Sequence, residues 1–297
     1  MTEAVIAAPT LTESRAARPK RRFESFKALL RNPIGMVGLV IVLATIFIAI
    51  FAPLIAPYSP SSQAFTRLQG PSWDHLMGTD ELGRDTFSRI VYGSRVSLQV
   101  GIIAVVIALI VGGLIGIVGG FFGGRLDSFL MRLVDIMFAF PGLVLAIVIA
   151  GLLGPSRRNA MIAIGVIFAP AFARVVRGTV LSVMSEPYIE SGRVAGSSDT
   201  RLIRLHVIPN IFAPLIVMVT VYLSSAILAE AGLSFLGLGT QPPEPTWGGM
   251  LNVARTYMEL EPWMAIFPGL AIMIVVLGFN FLGDGLRDVL DPRLRER

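Results

Sequence analysis

The chain of 297 residues is 54% apolar and only 15% charged, with a formal net charge of +5, a mean hydropathy of +0.72 and no cysteine. Soluble domains carry about 25% charged residues, so this composition excludes an ordinary soluble domain and points to an integral membrane protein. The missing thiols also exclude a disulfide framework, a thiolate nucleophile and a thiolate metal site.

The first 33 residues form a polar tail with seven basic residues before Asn32, and residues 23–30 are patterned as a short amphipathic helix. A cleaved signal peptide is not expected, because the apolar run starts late and is too long. Residues 34–56 carry no charge and at about 1.5 Å per residue cover a hydrocarbon core of about 30 Å. Five more spans are predicted at 96–120, 133–153, 160–184, 207–238 and 263–282, which places both ends of the chain on one side. With the N-terminus in the cytoplasm, eighteen of the 25 Lys and Arg residues lie on that side and seven on the other. That bias fixes the orientation, and because the arginines flank apolar spans they report membrane topology and not nucleic acid. The predicted unit thus runs from 34 to 293, with a tail at 294–297.

An external segment, 57–95, follows the first span. Leu82, Phe87, Ile90 and Val91 interleave there with Arg84, Asp85 and Arg89, the mixture of a short helix at the outer interface. In the second span Gly112, Gly116, Gly120 and Gly124 recur every four residues. Such a stripe permits close approach of another helix, with a flexible hinge as the alternative. Pro141 predicts a kink in the third span. Arg174 and Arg177 at the end of the fourth are placed to snorkel to the inner headgroups, or to meet a partner. Glu230 in the fifth is costly unless it faces protein or a water-filled path. The expectation is that it pairs with an arginine of the external Gly83-Arg84-Asp85 segment, or else contacts substrate. Residues 241–261 read as an external loop, with Trp247 and Trp263 as interfacial anchors.

The polar stretch 185–210 separates the fourth and fifth spans. Ser185 or Glu186 with Pro187 makes a helix start and Gly196 a left-handed stop, while Ser197, Ser198 and Asp199 offer a new N-cap. Pro209 is expected to close the second helix. The product is an L-shaped pair of surface helices presenting Glu190, Arg193, Arg201 and Arg204, or, more plainly, a solvated loop between two spans.

These residues carry a resemblance. Glu190, Gly196 and Val207-Ile208-Pro209-Asn210 resemble the cytoplasmic Glu-Ala-Ala loop of binding-protein-dependent ABC importer permeases, with Ser191 and Gly192 where that family has two alanines. Residues 78–93 (Gly-Thr-Asp, Gly-Arg-Asp, Ser-Arg and Tyr-Gly), Phe138-Ala139-Phe140-Pro141-Gly142 and residues 283–293 are similar to its dipeptide, oligopeptide and nickel branch. The resemblance implies an all-α type I importer permease fold of six transmembrane helices with a cytoplasmic coupling helix. It implies, as partners, a second homologous permease, two ATPase subunits that hold ATP and Mg, and an extracytoplasmic binding protein received partly by residues 241–261. On this resemblance Glu190 and Arg193 are polar contacts to the ATPase, Gly196 is the bend beside Ser197 and Asp199, and Arg201 and Arg204 anchor the loop.

No phosphate-cradling Gly-x-x-x-x-Gly-Lys-Ser/Thr occurs, nor a nucleophile elbow or a His-Glu-x-x-His helix. The expectation is therefore a non-enzymatic subunit with no cofactor or metal of its own. The rivals are a gradient-driven carrier or channel, for which Glu230 is the only acid deep in a span, and a structural membrane scaffold.

Overall fold

The computed structural model describes residues 32–290. The basic tail, the helix expected at 23–30 and the terminal residues Arg293, Arg295 and Arg297 lie outside that range. Helix α1 (Pro33–Ile50) starts where the Asn32 carboxamide oxygen accepts from the Ile34 and Gly35 amides at 3.0 and 3.1 Å, with Pro33 as the first helical residue. Proline suits this place because its absent N–H would have had no helical partner. A short α2 (Ala52–Ile55) follows.

Helix α3 (Thr86–Phe122) has 37 residues and is about 55 Å long. The segment expected as a separate interfacial helix is its first turns. Asp85 is the reason: its carboxylate accepts from the Ser88 amide and hydroxyl, both at 2.7 Å, which starts the helix some ten residues before the apolar run.

The expected third span is two helices, α4 (Gly124–Phe138) and α5 (Gly142–Leu153), set at 91° to one another. The Pro141 kink is thus far sharper than a bend within one helix. With that pair counted as one span, six spans among the described residues are long and apolar enough to cross a membrane. Helix α6 (Arg157–Met184), a polar connection at 185–207, α9 (Ile208–Phe235), α10 (Trp247–Tyr257) and α11 (Trp263–Leu290) complete the order. Within the connection lie α7 (Pro187–Val194) and α8 (Asp199–Leu202).

Helices α3 and α6 form the central pair. Gly112, Gly116 and Gly120 face the backbone of Ala169, Ala173 and Arg177 and the side chains of Val176 and Val180. The stripe therefore serves close packing. Gly124 does not belong to it, because Gly123 and Gly124, at φ +63° and +59°, make the turn into α4. Glycine tolerates such angles where other residues do not. A similar approach joins α1 to α11, with Gly38 against Gly278 and Leu282.

Helix α10 was not expected, since residues 241–261 read as a loop. The Thr246 hydroxyl accepts from the Gly249 amide at 3.0 Å, and Gly248 lies against the backbone of Ala231. Trp247 is buried at 2% exposure and donates its indole N–H to the Ile90 carbonyl at 3.0 Å. It is a core residue joining α10 to α3, whereas Trp263, 42% exposed, keeps the surface place expected of an anchor.

Candidate functional site

The connection 185–207 begins with Glu186 in extended geometry and Pro187 at the first helical position of α7. It stops as a Schellman motif: the Ser197 amide donates to Gly192 O at 3.0 Å, the Gly196 amide to Arg193 O at 2.9 Å, and Gly196 is left-handed at φ +79°. Ser198 then precedes α8 in extended geometry.

The expectation that Pro209 ends the second helix does not hold. Residues Ile203–Val207 continue as a π turn and lead directly into α9, of which Pro209 is a first-turn residue. A proline there has no i−4 bond to lose when the wider turn precedes it.

The apolar side of this unit fixes it to the spans. Ile189, Leu202 and Val207 are buried with Phe121, Val176, Val180, Val183 and Ile211. Arg201 and Arg204, expected as anchors, are instead exposed; burial of aliphatic groups, not of charge, holds the loop. Gly192 sits over Leu202, whose Cδ2 would lie 3.0 Å from an added Cβ, and the Ser191 hydroxyl donates to Pro187 O at 3.0 Å. The Ser191-Gly192 pair is therefore accommodated by local contacts.

What faces outward is polar and free of ion pairs, with Arg193 over the Phe121 ring at 5.8 Å. Glu190, Arg193, Asp199, Arg201 and Arg204 are exposed and Ser197 is half-buried; among the described residues none of the five charged groups is in an ion pair. Val194 and Leu205, 85% and 57% exposed, stand among them, and Tyr188 lies over His206 with ring centroids 5.4 Å apart. Charges and apolar side chains are thus left open together on a unit whose other side is anchored in the spans.

Arg174 and Arg177 are each paired with an acid of α4. Arg177 makes a bidentate pair with Asp127 at 2.5 Å for each contact, and Arg174 bonds Asp135 at 2.6 Å and covers the Phe138 ring. Both ties hold α4 against α6 beside the loop.

At the opposite end of the bundle the expected external segment is an ordered, buried polar network. Asp80 Oδ2 takes Arg84 Nε at 2.6 Å and Arg89 Nε at 3.3 Å, Glu81 takes Arg84 at 2.8 Å, and Asp85 also meets His75 Nδ1 at 3.0 Å. Burial, and then the neighbouring Asp80, holds the Glu81 carboxyl above its ordinary range against the pull of Arg84 and Arg89.

Glu230 does not join this network, so its predicted pairing with Arg84 is corrected. Arg84 is already taken by acids three and four residues away, and Glu230 instead accepts from Ser97 at 3.0 Å and Ser234 at 2.7 Å. At 1% exposure it is out of reach of a solute in this conformation. Ser234, one turn on, was legible as a partner, but Ser97, 133 residues away, had no local signal. Glu230→Gln keeps an acceptor between the hydroxyls and is expected to leave the unfolding midpoint within a few degrees. Glu230→Ala strands both hydroxyls and opens a cavity at a cost of about 2–3 kcal/mol. Equal losses for the two variants, measured by thermal unfolding in detergent, would show that the charge and not the hydrogen bonds holds α3 to α9.

Residues 112–296 match the family described as binding-protein-dependent transport system inner membrane component, and residues 23–71 match the N-terminal transmembrane domain of oligopeptide transport permease C. The dipeptide transport system permease protein of Alkalihalophilus pseudofirmus is 48% identical, over 92% of this chain and 90% of its own length. A di/tripeptide transport system permease protein of Pseudomonas aeruginosa is 46% identical, with 92% of each covered. The glutathione transport system permease protein of Pectobacterium atrosepticum is 41% identical, over 97% of this chain and 95% of its own length. Among solved structures, the inward-facing MetNI methionine ABC transporter superposes with a TM-score of 0.56 at 18% identity, covering 68% of this chain and 97% of that one, and shares the fold. The chain therefore belongs to the family of binding-protein-dependent transport system inner membrane components, as a multi-pass permease of an ABC importer.

Proposed function

We propose that this permease moves peptides, from dipeptides to longer or glutathione-like ones, into the cytoplasm, as half of a pathway completed by a second homologous permease. ATP and Mg are held and hydrolysed by two partner subunits, and an extracytoplasmic binding protein delivers the solute. The N- and C-termini and residues 185–210 face the cytoplasm, in keeping with the distribution of Lys and Arg.

The observation that carries the reading is the unit formed by α7, α8 and the π turn. It exposes Glu190, Arg193, Asp199, Arg201 and Arg204 while three aliphatic side chains root it in α3, α6 and α9. A push on Glu190 or Arg193 is delivered to those helices as a rigid-body shift, because a packed cluster does not deform continuously. Ser197 and Asp199 flank the Gly196 bend that sets the angle between the two pieces.

Gly196→Pro tests the reading. Proline is fixed near φ −65°, incompatible with +79°, and it removes the amide that closes α7. The variant is expected to insert and co-purify with its partners, to retain ATP hydrolysis, and to lose more than nine-tenths of peptide uptake by reconstituted vesicles. Normal uptake would refute the role given to this loop.

A further inference from the structure

Helix α3 carries a second feature, on a face other than the glycine stripe. Its inner-facing glycines pack, but Tyr92, Arg95, Gln99, Ile102, Val106 and Ile110 recur at three- and four-residue steps and form one stripe. The lower members are apolar and open, with Ile102, Val106 and Ile110 at 47%, 45% and 55% exposure. The upper members are polar, and Arg95 and Gln99 are exposed as well.

Above the column lies a cleft of about 380 Å³ in which Tyr92, Arg95 and Gln99 meet Arg157 and Glu244. Arg157 is ion-paired with Glu244 through Nη1 at 3.1 Å, and the rest of its five-donor guanidinium is open to a ligand. Among the described residues Arg95 has no ion-pair or hydrogen-bond partner. The cleft therefore holds two cations against one anion.

Depth selects the ligand. No ionisable residue occurs from 96 to 124, and Arg95 stands about 40 Å along the helix from Phe122. A bilayer with its headgroups is about 40–45 Å thick. With Phe122 at one boundary, Arg95 falls in the headgroup layer on the side of residues 57–85, and the apolar column falls in the hydrocarbon.

We propose that Arg95, assisted by Gln99 and the free donors of Arg157, binds the phosphate of a phospholipid in that leaflet, one acyl chain of which lies along Ile102, Val106 and Ile110. A soluble carboxylate or phosphate would use the cleft but has no need of the column. A charge on a helix face that continues as an open apolar column matches a molecule that is an anion at one end and a hydrocarbon at the other.

Titration of the full-length chain, purified with its partners in mild detergent, by phosphatidylglycerol under native mass spectrometry tests the site. The wild type is expected to hold one tight phosphatidylglycerol. Arg95→Gln should weaken it about five- to tenfold, the effect of one charge-assisted contact. Arg95→Lys should restore most of the binding, and Val106→Gln should weaken it while leaving the assembly intact. Dioleoylglycerol, which has the chains without the phosphate, should bind no better to the wild type than to Arg95→Gln. Equal phosphatidylglycerol affinity in wild type and Arg95→Gln would overturn the proposal. So would protection by inorganic phosphate or a free dipeptide that Val106→Gln leaves unchanged, and so would absence of the lipid from the complete importer because the second permease covers the column. All of these readouts are independent of which peptide is transported.

Discussion

Replacing Gly116 with leucine is expected to remove the folded permease from the membrane fraction. A Cβ at this position meets the Ala173 carbonyl oxygen at 2.6 Å and the Val176 Cβ at 2.7 Å, and both belong to the core of α6. Neither neighbour is the end of a flexible chain, so the helices must part. Overpacking by a methylene or two in a tight core costs about 1–3 kcal/mol; Gly116→Ala falls in that range, and leucine adds three more carbons with no place to go.

The control lies three residues earlier on the same helix. A Cβ at Gly113 meets nothing within 4 Å, so Gly113→Ala should be neutral or slightly stabilising, by up to about 1 kcal/mol from reduced backbone freedom. Expression as a monodisperse peak in detergent, followed by thermal unfolding, separates the two. Tolerance of Gly116→Leu would mean that α3 and α6 do not touch along this stripe in the assembled protein.

Asp80→Ala is the second variant with a large expected effect. Asp80 is 5% exposed and its Oδ2 faces both Arg84 and Arg89, themselves 6% and 7% exposed. Its Oδ1 accepts from the backbone amides of Leu82 and Arg84 at 3.0 and 2.9 Å. Removing the acid leaves a buried guanidinium without its charge partner, which in other proteins costs about 3–5 kcal/mol. For a chain of this size that corresponds to a fall of about 6–20 °C in the unfolding midpoint.

The companion variant distinguishes charge from shape. Removing Arg89 as well, in Asp80→Ala with Arg89→Met, should recover roughly half of the loss, because the desolvated cation is what makes the single substitution expensive. Additive losses would show that Asp80 acts through its backbone contacts to Leu82 and Arg84 instead.

Much of this architecture is readable in the residues. The four-residue glycine spacing announced a close helix contact on α3, though not that α6 makes it, and Pro187 with Gly196 marks both ends of α7, since each works through its own backbone preference. The positions of the apolar runs located the spans. What escaped depended on partners far away in the chain. Glu230 finds Ser97 rather than Arg84, Trp247 is buried against Ile90, and α10 packs Gly248 on Ala231; none of these has a local signature.

Two further misses were local but ambiguous. The apolar pattern placed the start of the second span near residue 96, whereas the Asp85 cap starts the helix at Thr86 because one satisfied N-terminus is enough to extend it. In the loop, the resemblance assigns the anchoring to Arg201 and Arg204, whereas the buried side chains are those of Ile189, Leu202 and Val207. Their spacing is too irregular to read as one face once a π turn intervenes.

The central claim is that residues 185–207 form a cytoplasmic surface through which nucleotide-driven work enters the spans. The chain contains no cysteine, so a single Ser198→Cys supplies a unique thiol at an exposed position. The decisive measurement is crosslinking of that thiol in inverted membrane vesicles that hold the complete importer, with and without ATP. The account predicts a crosslink to the ATPase subunit whose yield changes on addition of ATP, and no labelling by an impermeant maleimide added to intact cells. Labelling from outside the cell, or a thiol that reaches no partner in the assembled importer, would contradict it.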